Sequence, residues 1–225
     1  MKQLLAVIFV SHLFCLPTEG QVPTRPAEKS DPEAHKLLER VRKRYEKYKS
    51  WEAEFSLTLE LPERPKEVQK GTIAQEGQKF RLDMDQQLLV SDGKTTWAYL
   101  KTEKEIQITN AAPEEGGNFL TPRELLSRYE RGDYLYAITD KTRENAKTLT
   151  HIEFKPVSRR SEYAKLRVSI DENALQVERI IAFGRDGARF TFQVIRFTPN
   201  KTFKGQHFQL NPKDYPGVRV EDLRK

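Results

Sequence analysis

WEAEFSLTLEL, residues 51–61, alternates without a break. Trp51, Ala53, Phe55, Leu57, Leu59 and Leu61 take one side of an extended chain, and Glu52, Glu54, Ser56, Thr58 and Glu60 take the other. Strand side chains point to opposite faces with a period of two, so this segment is a strand with one dry face and one wet face. The dry face needs a cover. Either a core closes over it for good, or something occupies it and leaves.

The same alternation recurs along the chain. After the turn-rich LPERPKE, short strands are predicted at 68–75, 79–85 and 88–91. Ser91-Asp92-Gly93-Lys94 is a hairpin turn, because Asp-Gly accepts the positive backbone angles that tight hairpins demand. Strand 95–100 puts Trp97 and Tyr99 on one face, and strand 105–109 does the same with Ile106 and Ile108. Further strands are predicted at 134–139, 148–154, 163–170, 175–183 and 188–197, the last two joined through Arg185-Asp186-Gly187.

Two segments have helical spacing instead. Ser30-Asp31-Pro32-Glu33 is a helix start, with a serine three residues before a glutamate and proline in the first turn. Ala34, Leu37, Leu38, Val41, Tyr45 and Tyr48 then form an apolar stripe, opposed by Lys36, Glu39, Arg40, Lys43, Glu46 and Lys47, and this helix should end near Lys49. Thr121-Pro122-Arg123-Glu124 opens a second, shorter helix with Leu125, Leu126 and Tyr129 on its apolar side and Gly132 as its stop. Ten or eleven strands with two or three inserted helices exclude a doubly wound parallel fold. The expected class is α+β, one large antiparallel sheet curled around helices that cover its apolar face.

The first twenty residues stand apart. Lys2 precedes a short apolar run from Leu4 to Leu16, and Thr18-Glu19-Gly20 offers a cleavage site, so residues 1–20 are expected to be a signal peptide cut after Gly20. The run is shorter than the ~20 apolar residues that a membrane-spanning helix needs. Cleavage there removes Cys15, the only cysteine, and leaves an exported chain without disulfides. The alternative is a lipid anchor on Cys15, disfavoured because His12, Leu13 and Phe14 precede it. Residues 21–32 form a proline-containing lead-in, and 33–225 are expected to be one domain. A net charge of +6 comes from basic residues interleaved with acidic ones, which suits an anionic membrane surface or a solvated face.

Enzyme chemistry finds no support in the residues. Of the histidines after residue 20, His35 lies on a helix and His151 and His207 on predicted strands, with no metal-ligand spacing. Nucleophile-elbow serine, phosphate-cradling loop and cysteine nucleophile are all missing. Asp83 and Asp85 share a strand face but resemble a solvated edge more than a cation site. Phe190, Phe192 and Phe208 alternate with polar residues as interior positions do, which argues against nucleic-acid binding. No catalytic residue, metal or cofactor is therefore expected. What remains is a dry face built from Phe55, Leu57, Leu59, Phe80, Leu82, Met84, Trp97, Tyr99, Ile106 and Ile108, with few helices to cover it. An under-filled curled sheet is a natural apolar cavity.

Four features resemble the LolA family of periplasmic lipoprotein carriers. They are a signal peptide followed by a charged helix; Gly71-Thr72-Ile73 leading to Phe80-Arg81-Leu82; Val90-Ser91-Asp92-Gly93-Lys94 followed by Trp97-Ala98-Tyr99; and the tail from Phe208-Gln209-Leu210-Asn211-Pro212 through Pro216-Gly217-Val218 to Asp222-Leu223-Arg224-Lys225. The resemblance implies a half-open antiparallel barrel with a lid of two or three helices over an apolar cavity, in a soluble, monomeric carrier that performs no chemistry. Its cargo would be acylated lipoproteins, received from an ATP-driven inner-membrane exporter and surrendered to an outer-membrane acceptor. The acyl chains would lie against Phe55, Leu57, Leu59, Phe80, Leu82, Trp97, Tyr99, Ile106 and Ile108. Leu37, Leu38, Val41 and Tyr45 of the first helix and Leu125, Leu126 and Tyr129 of the second would form the lid. The family commonly carries an Arg-Pro pair shortly before the Phe of the second strand region, Phe80 here, with the arginine important for lid control and cargo transfer. Here the sequence is Gln75-Glu76-Gly77-Gln78-Lys79-Phe80, and no residue matches that arginine. A membrane-anchored acceptor or an envelope lipid or lipoprotein sensor of the same fold is the alternative.

Overall fold

A computed structural model describes residues 29–111 and 131–224. The expected leader, most of the lead-in, and the second helix with Leu125, Leu126 and Tyr129 lie outside the described residues. One α-helix, α1 (Pro32–Glu46), precedes the strands. The next six are β1 (Ser50–Glu60), β2 (Glu67–Glu76), β3 (Lys79–Met84), β4 (Gln87–Ser91), β5 (Thr95–Leu100) and β6 (Glu105–Asn110). Then follow β7 (Tyr134–Glu144), β8 (Lys147–Pro156), β9 (Tyr163–Asp171), β10 (Gln176–Gly184), β11 (Arg189–Pro199) and β12 (Arg219–Asp222).

All twelve belong to one sheet in the order β12-β6-β5-β4-β3-β2-β1-β11-β10-β9-β8-β7. Two meanders, β1 to β6 and β7 to β11, join where β1 pairs antiparallel with β11. The segment 51–61 is thus the spine of the sheet. The expected α+β class holds as a large, curled, open antiparallel sheet. The cover differs, since the described residues contain one α-helix rather than a lid of two or three. The short tail strand β12 pairs parallel with β6 and is not announced by the sequence; four residues carry too little alternation to register as a strand.

The helix begins one residue later than its cap motif suggested. Asp31, not Ser30, is the N-cap: its carboxylate accepts the Glu33 N–H at 2.8 Å. Asp31 also ties the helix to β7, because its own N–H donates to the Tyr136 carbonyl (2.8 Å) and its carboxylate accepts the Ile138 N–H (3.2 Å). These backbone donors hold its carboxyl below the usual range. At the other end the Val177 N–H donates to the Tyr45 hydroxyl at 3.3 Å, and burial pushes that phenol up. Ala34, Leu37, Leu38 and Val41 are buried in one core with Trp51, Ala53, Phe55, Ile152, Val168, Ile170 and Val177. Each large side chain so buried contributes about 1.5–3 kcal/mol.

Register shows that the dry face of the sheet changes sides. From β1 to β7 the row Leu57, Phe192, Ile180, Val168, Ile152, Ile138 runs along the concave face, and Leu59, Phe190, Ala182, Leu166, Phe154, Tyr136 runs beside it. In the other direction Ala53 leads to Ile73, Leu82, Leu89, Ala98 and Gln107, so the concave side becomes polar by β6. There the convex side is apolar: Val90, Trp97 and Ile108 stand in one row and Leu88, Tyr99 and Ile106 in the next. A second small core closes over them, built with Leu210, Tyr215 and Val218 from the tail.

Candidate functional site

A groove of about 610 Å³ opens at the end of the concave face away from α1. Its apolar wall is formed by Leu57 and Leu59 of β1, Phe190 and Phe192 of β11, Ile180 and Ala182 of β10, and Tyr163 of β9. Glu162, Arg185 and Asp186 stand exposed at its mouth. The floor is dry, with Ile180, Ala182 and Phe192 buried and Phe192 stacked on Phe55 at 4.8 Å between ring centres. The walls are not: Leu57, Leu59, Tyr163 and Phe190 are only partly buried. Two features of one Asp-Gly turn shape the rim. Gly187 has φ +87°, and the Asp186 carboxylate accepts the Ala188 N–H at 3.0 Å, which pins the β10–β11 turn beside the mouth.

The residues expected to line a cavity therefore divide. Leu57 and Leu59 line the groove, and Phe55 lies beneath Phe192. Leu82 shares their core, and Phe80 sits on the same face, half-buried and farther along the sheet. Trp97, Tyr99, Ile106 and Ile108 do not belong with them. Their pairing puts them on the convex face under the C-terminal tail, where Tyr99 packs on Tyr215 at 4.7 Å. The physical reason is that alternation reports two unlike faces but not which face meets the hollow. Conversely, Tyr163, Ile180, Ala182, Phe190 and Phe192 complete the groove. The signal for them was present as alternation within 163–170, 175–183 and 188–197.

Of the lid residues, Leu37, Leu38 and Val41 are buried and Tyr45 packs against the core, so α1 covers the end of the concave face opposite the groove. The cations near the missing family arginine face away from it. Lys79 and Arg81 flank the concave-facing Phe80 and point to the convex side. Arg81 donates to the His207 carbonyl at 3.4 Å and Lys79 pairs with Glu76 at 3.5 Å.

The histidines and the Asp83 carboxylate singled out in the sequence lie outside the groove lining. His151 is held on the convex side by the Ser169 hydroxyl (2.9 Å) and the Thr142 hydroxyl (2.8 Å). His207 lies in a turn of the tail rather than a strand, between Phe203 and Phe208, where burial and then Arg81 lower its pKa. Asp83 is engaged by Lys101 at 2.8 Å. Among the described residues no three His, Cys, Asp or Glu side chains are grouped as metal ligands.

The profile of the family described as outer membrane lipoprotein carrier protein LolA matches residues 46–211, most of the chain. This chain belongs to the LolA family. An uncharacterized conserved protein from Thermus thermophilus shares the fold at a TM-score of 0.57 and 14% identity, over 86% of this chain and 99% of that one. A LolA superfamily protein from Nitrosomonas europaea matches at a TM-score of 0.43 and 10% identity, over 79% and 97% of the respective chains. LprF from Mycobacterium bovis matches at 0.44 and 12%, over 82% and 99%. No curated protein matches the sequence. The family's description is that of a carrier protein. Among the described residues no helix is long and apolar enough to cross a membrane.

Proposed function

We propose that this LolA-family protein is a soluble periplasmic carrier that shelters the acyl chains of outer-membrane lipoproteins in the concave groove. It would receive them from an ATP-driven inner-membrane exporter and deliver them to an outer-membrane acceptor. The observation that carries this reading is the groove itself: a pocket with an apolar wall and half-exposed Leu57, Leu59, Tyr163 and Phe190, in a chain of this family. Exposed apolar surface of that kind is costly unless a partner covers it.

Energetics favour a carrier over free diffusion. At about 0.8 kcal/mol per methylene, a chain of some fifteen carbons costs on the order of 10 kcal/mol to hold in water. If a methylene occupies roughly the 30 Å³ of a liquid water molecule, that chain fills about 450 Å³. The groove, at about 610 Å³, has volume enough for one such chain. A cargo with several chains requires the hollow to widen.

The test is retention of a radiolabelled, acylated lipoprotein by the purified, folded mature chain. Stable complex formation in aqueous buffer supports the carrier, and release of all label to detergent-free aggregate counts against it. N-terminal sequencing separates the alternative: a mature chain that begins at an acylated Cys15 would be an anchored acceptor or sensor.

A further inference from the structure

We infer that α1 is a docking edge for a bilayer surface rich in anionic lipid headgroups. Lys36, Arg40, Lys43, Arg44 and Lys47 are all exposed and fall at i, i+4, i+7, i+8 and i+11, which places them on one side of the helix. The ridge is about 16 Å long at 1.5 Å per residue. Residues 32–47 hold six basic and three acidic side chains, a net +3, or half of the +6 of the whole chain.

The helix's own carboxylates offset this ridge only in part, with Glu33 exposed on the same side at its first turn. Arg42, which lies off the ridge, takes Glu39 at 3.0 Å and Glu46 at 2.5 Å. Lys43 reaches Glu39 only at 3.9 Å, and Arg44 is turned to the Tyr48 hydroxyl at 2.9 Å. Lys36, Arg40 and Lys47 make no ion pair with any described residue, although Arg40 lies close enough to Glu172 to help lower its pKa. Three to five cations therefore project side by side with most of their charge uncompensated.

A headgroup layer fits this surface better than an acidic protein does. Tight protein contacts centre on desolvated aromatic or aliphatic anchors, and the ridge has none, because the apolar side of α1 is already spent on the core. For the same reason the helix cannot insert into the acyl region as a free amphipathic helix would. Contact is then electrostatic alone, weak, reversible and screened by salt, which suits a protein that visits a membrane and leaves. The proposal stands whether or not the groove holds acyl chains, so failure of either idea leaves the other untouched.

The experiment is co-sedimentation of the full mature chain with vesicles of phosphatidylcholine, or of phosphatidylcholine and phosphatidylglycerol in equal parts. Partition should favour the anionic vesicles by about tenfold or more in roughly 0.1 M salt and lose that preference in roughly 1 M salt. K36E/R40E/K43E/K47E should abolish it, as each cation near the surface is worth on the order of fivefold. K36Q/R40Q/K43Q/K47Q, which keeps good helix formers, should weaken it at least tenfold and serves if charge reversal disturbs folding. The control K70E/R159E/R160E/K204E brings the chain to the same net charge as the reversal variant through exposed cations elsewhere, and should keep the preference. Equal loss in ridge and control variants overturns the proposal, as does the absence of any preference for anionic vesicles. Binding to polyglutamate without vesicle preference also overturns it, in favour of an acidic protein partner.

Discussion

Leu57 stands opposite Phe192 across β1 and β11, and the two form adjoining walls of the concave groove. A carboxylate at position 57 would face the space an acyl chain needs. Leu57→Glu should lower affinity for a fluorescent single-chain fatty acid by at least about tenfold, since an unpaired charge is expensive to bury. Trp97→Ala, on the convex face, should leave that affinity within about twofold even though it costs stability. Titration of the unmodified chain should saturate near one probe per protein. Equal effects from the two substitutions would place the ligand somewhere other than the groove.

Gly71 has no room for a methyl group. A Cβ there would lie 2.7 Å from the Asp83 carbonyl oxygen, 2.8 Å from the Phe55 ring and 3.0 Å from the Met84 side chain. Phe55 packs into the space that the missing side chain leaves, directly across the β1–β2 pair. Gly71→Ala should therefore destabilise the fold by about 1–3 kcal/mol, seen as a lower urea midpoint at unchanged slope. A neutral result would mean that β2 and β3 separate more easily than their register implies.

Leu38 anchors α1 and is 1% exposed. Leu38→Ala should cost about 2–5 kcal/mol in chemical denaturation, because the cavity beneath the helix cannot collapse onto a rigid sheet. Lys43→Ala, more than a turn away on the exposed side, should stay within about 0.5 kcal/mol. Similar values for the two would show that α1 contributes little to the core.

Glu105 fastens the tail. The Arg219 Nε donates to it at 3.0 Å and a second guanidinium nitrogen also reaches it, and this hydrogen bonding holds the carboxyl below its ordinary range. A depressed folded-state pKa means that the clamp is fully present above the usual glutamate value of about 4.3 and is lost as pH falls through the folded value. Hydrogen-exchange protection of residues 219–222, corrected for intrinsic rates, should drop selectively below that range. Arg219→Gln should reproduce the loss at neutral pH. Protection that persists in the variant would assign the hold of the tail to β12–β6 backbone pairing alone.

How far the sequence exposes this architecture depends on whether the signal is local. The strand predictions of the two meanders each find a counterpart in the structure, because each strand has its own alternation and most turns carry their own Gly or Asp. Asp92 shows how local that is: its carboxylate accepts the Lys94 and Thr95 N–H groups, each at 2.8 Å, within the hairpin that the residues themselves announce. The stripe of α1 was equally plain, and its buried residues are the expected ones. The tail strand β12 was hidden because it exists through its neighbour, as a four-residue edge that pairs with β6.

The composition of the hollow was another matter. Trp97 and Ile108 looked like partners of Phe55 and Leu82, since each is the large member of an alternating strand. They are partners of one another, on the opposite face. Period-two patterning, helix stripes and turn chemistry are properties of a few consecutive residues, so the chain alone specified an α+β protein dominated by an open antiparallel sheet. Which face meets the groove depends on the pairing of strands far apart in sequence, on the turn of the dry side across β3 and β4, and on a C-terminal tail that covers one face and leaves the other open. Those relations arise only when β1 meets β11, and they decide that the groove belongs to Leu57, Ile180 and Phe192.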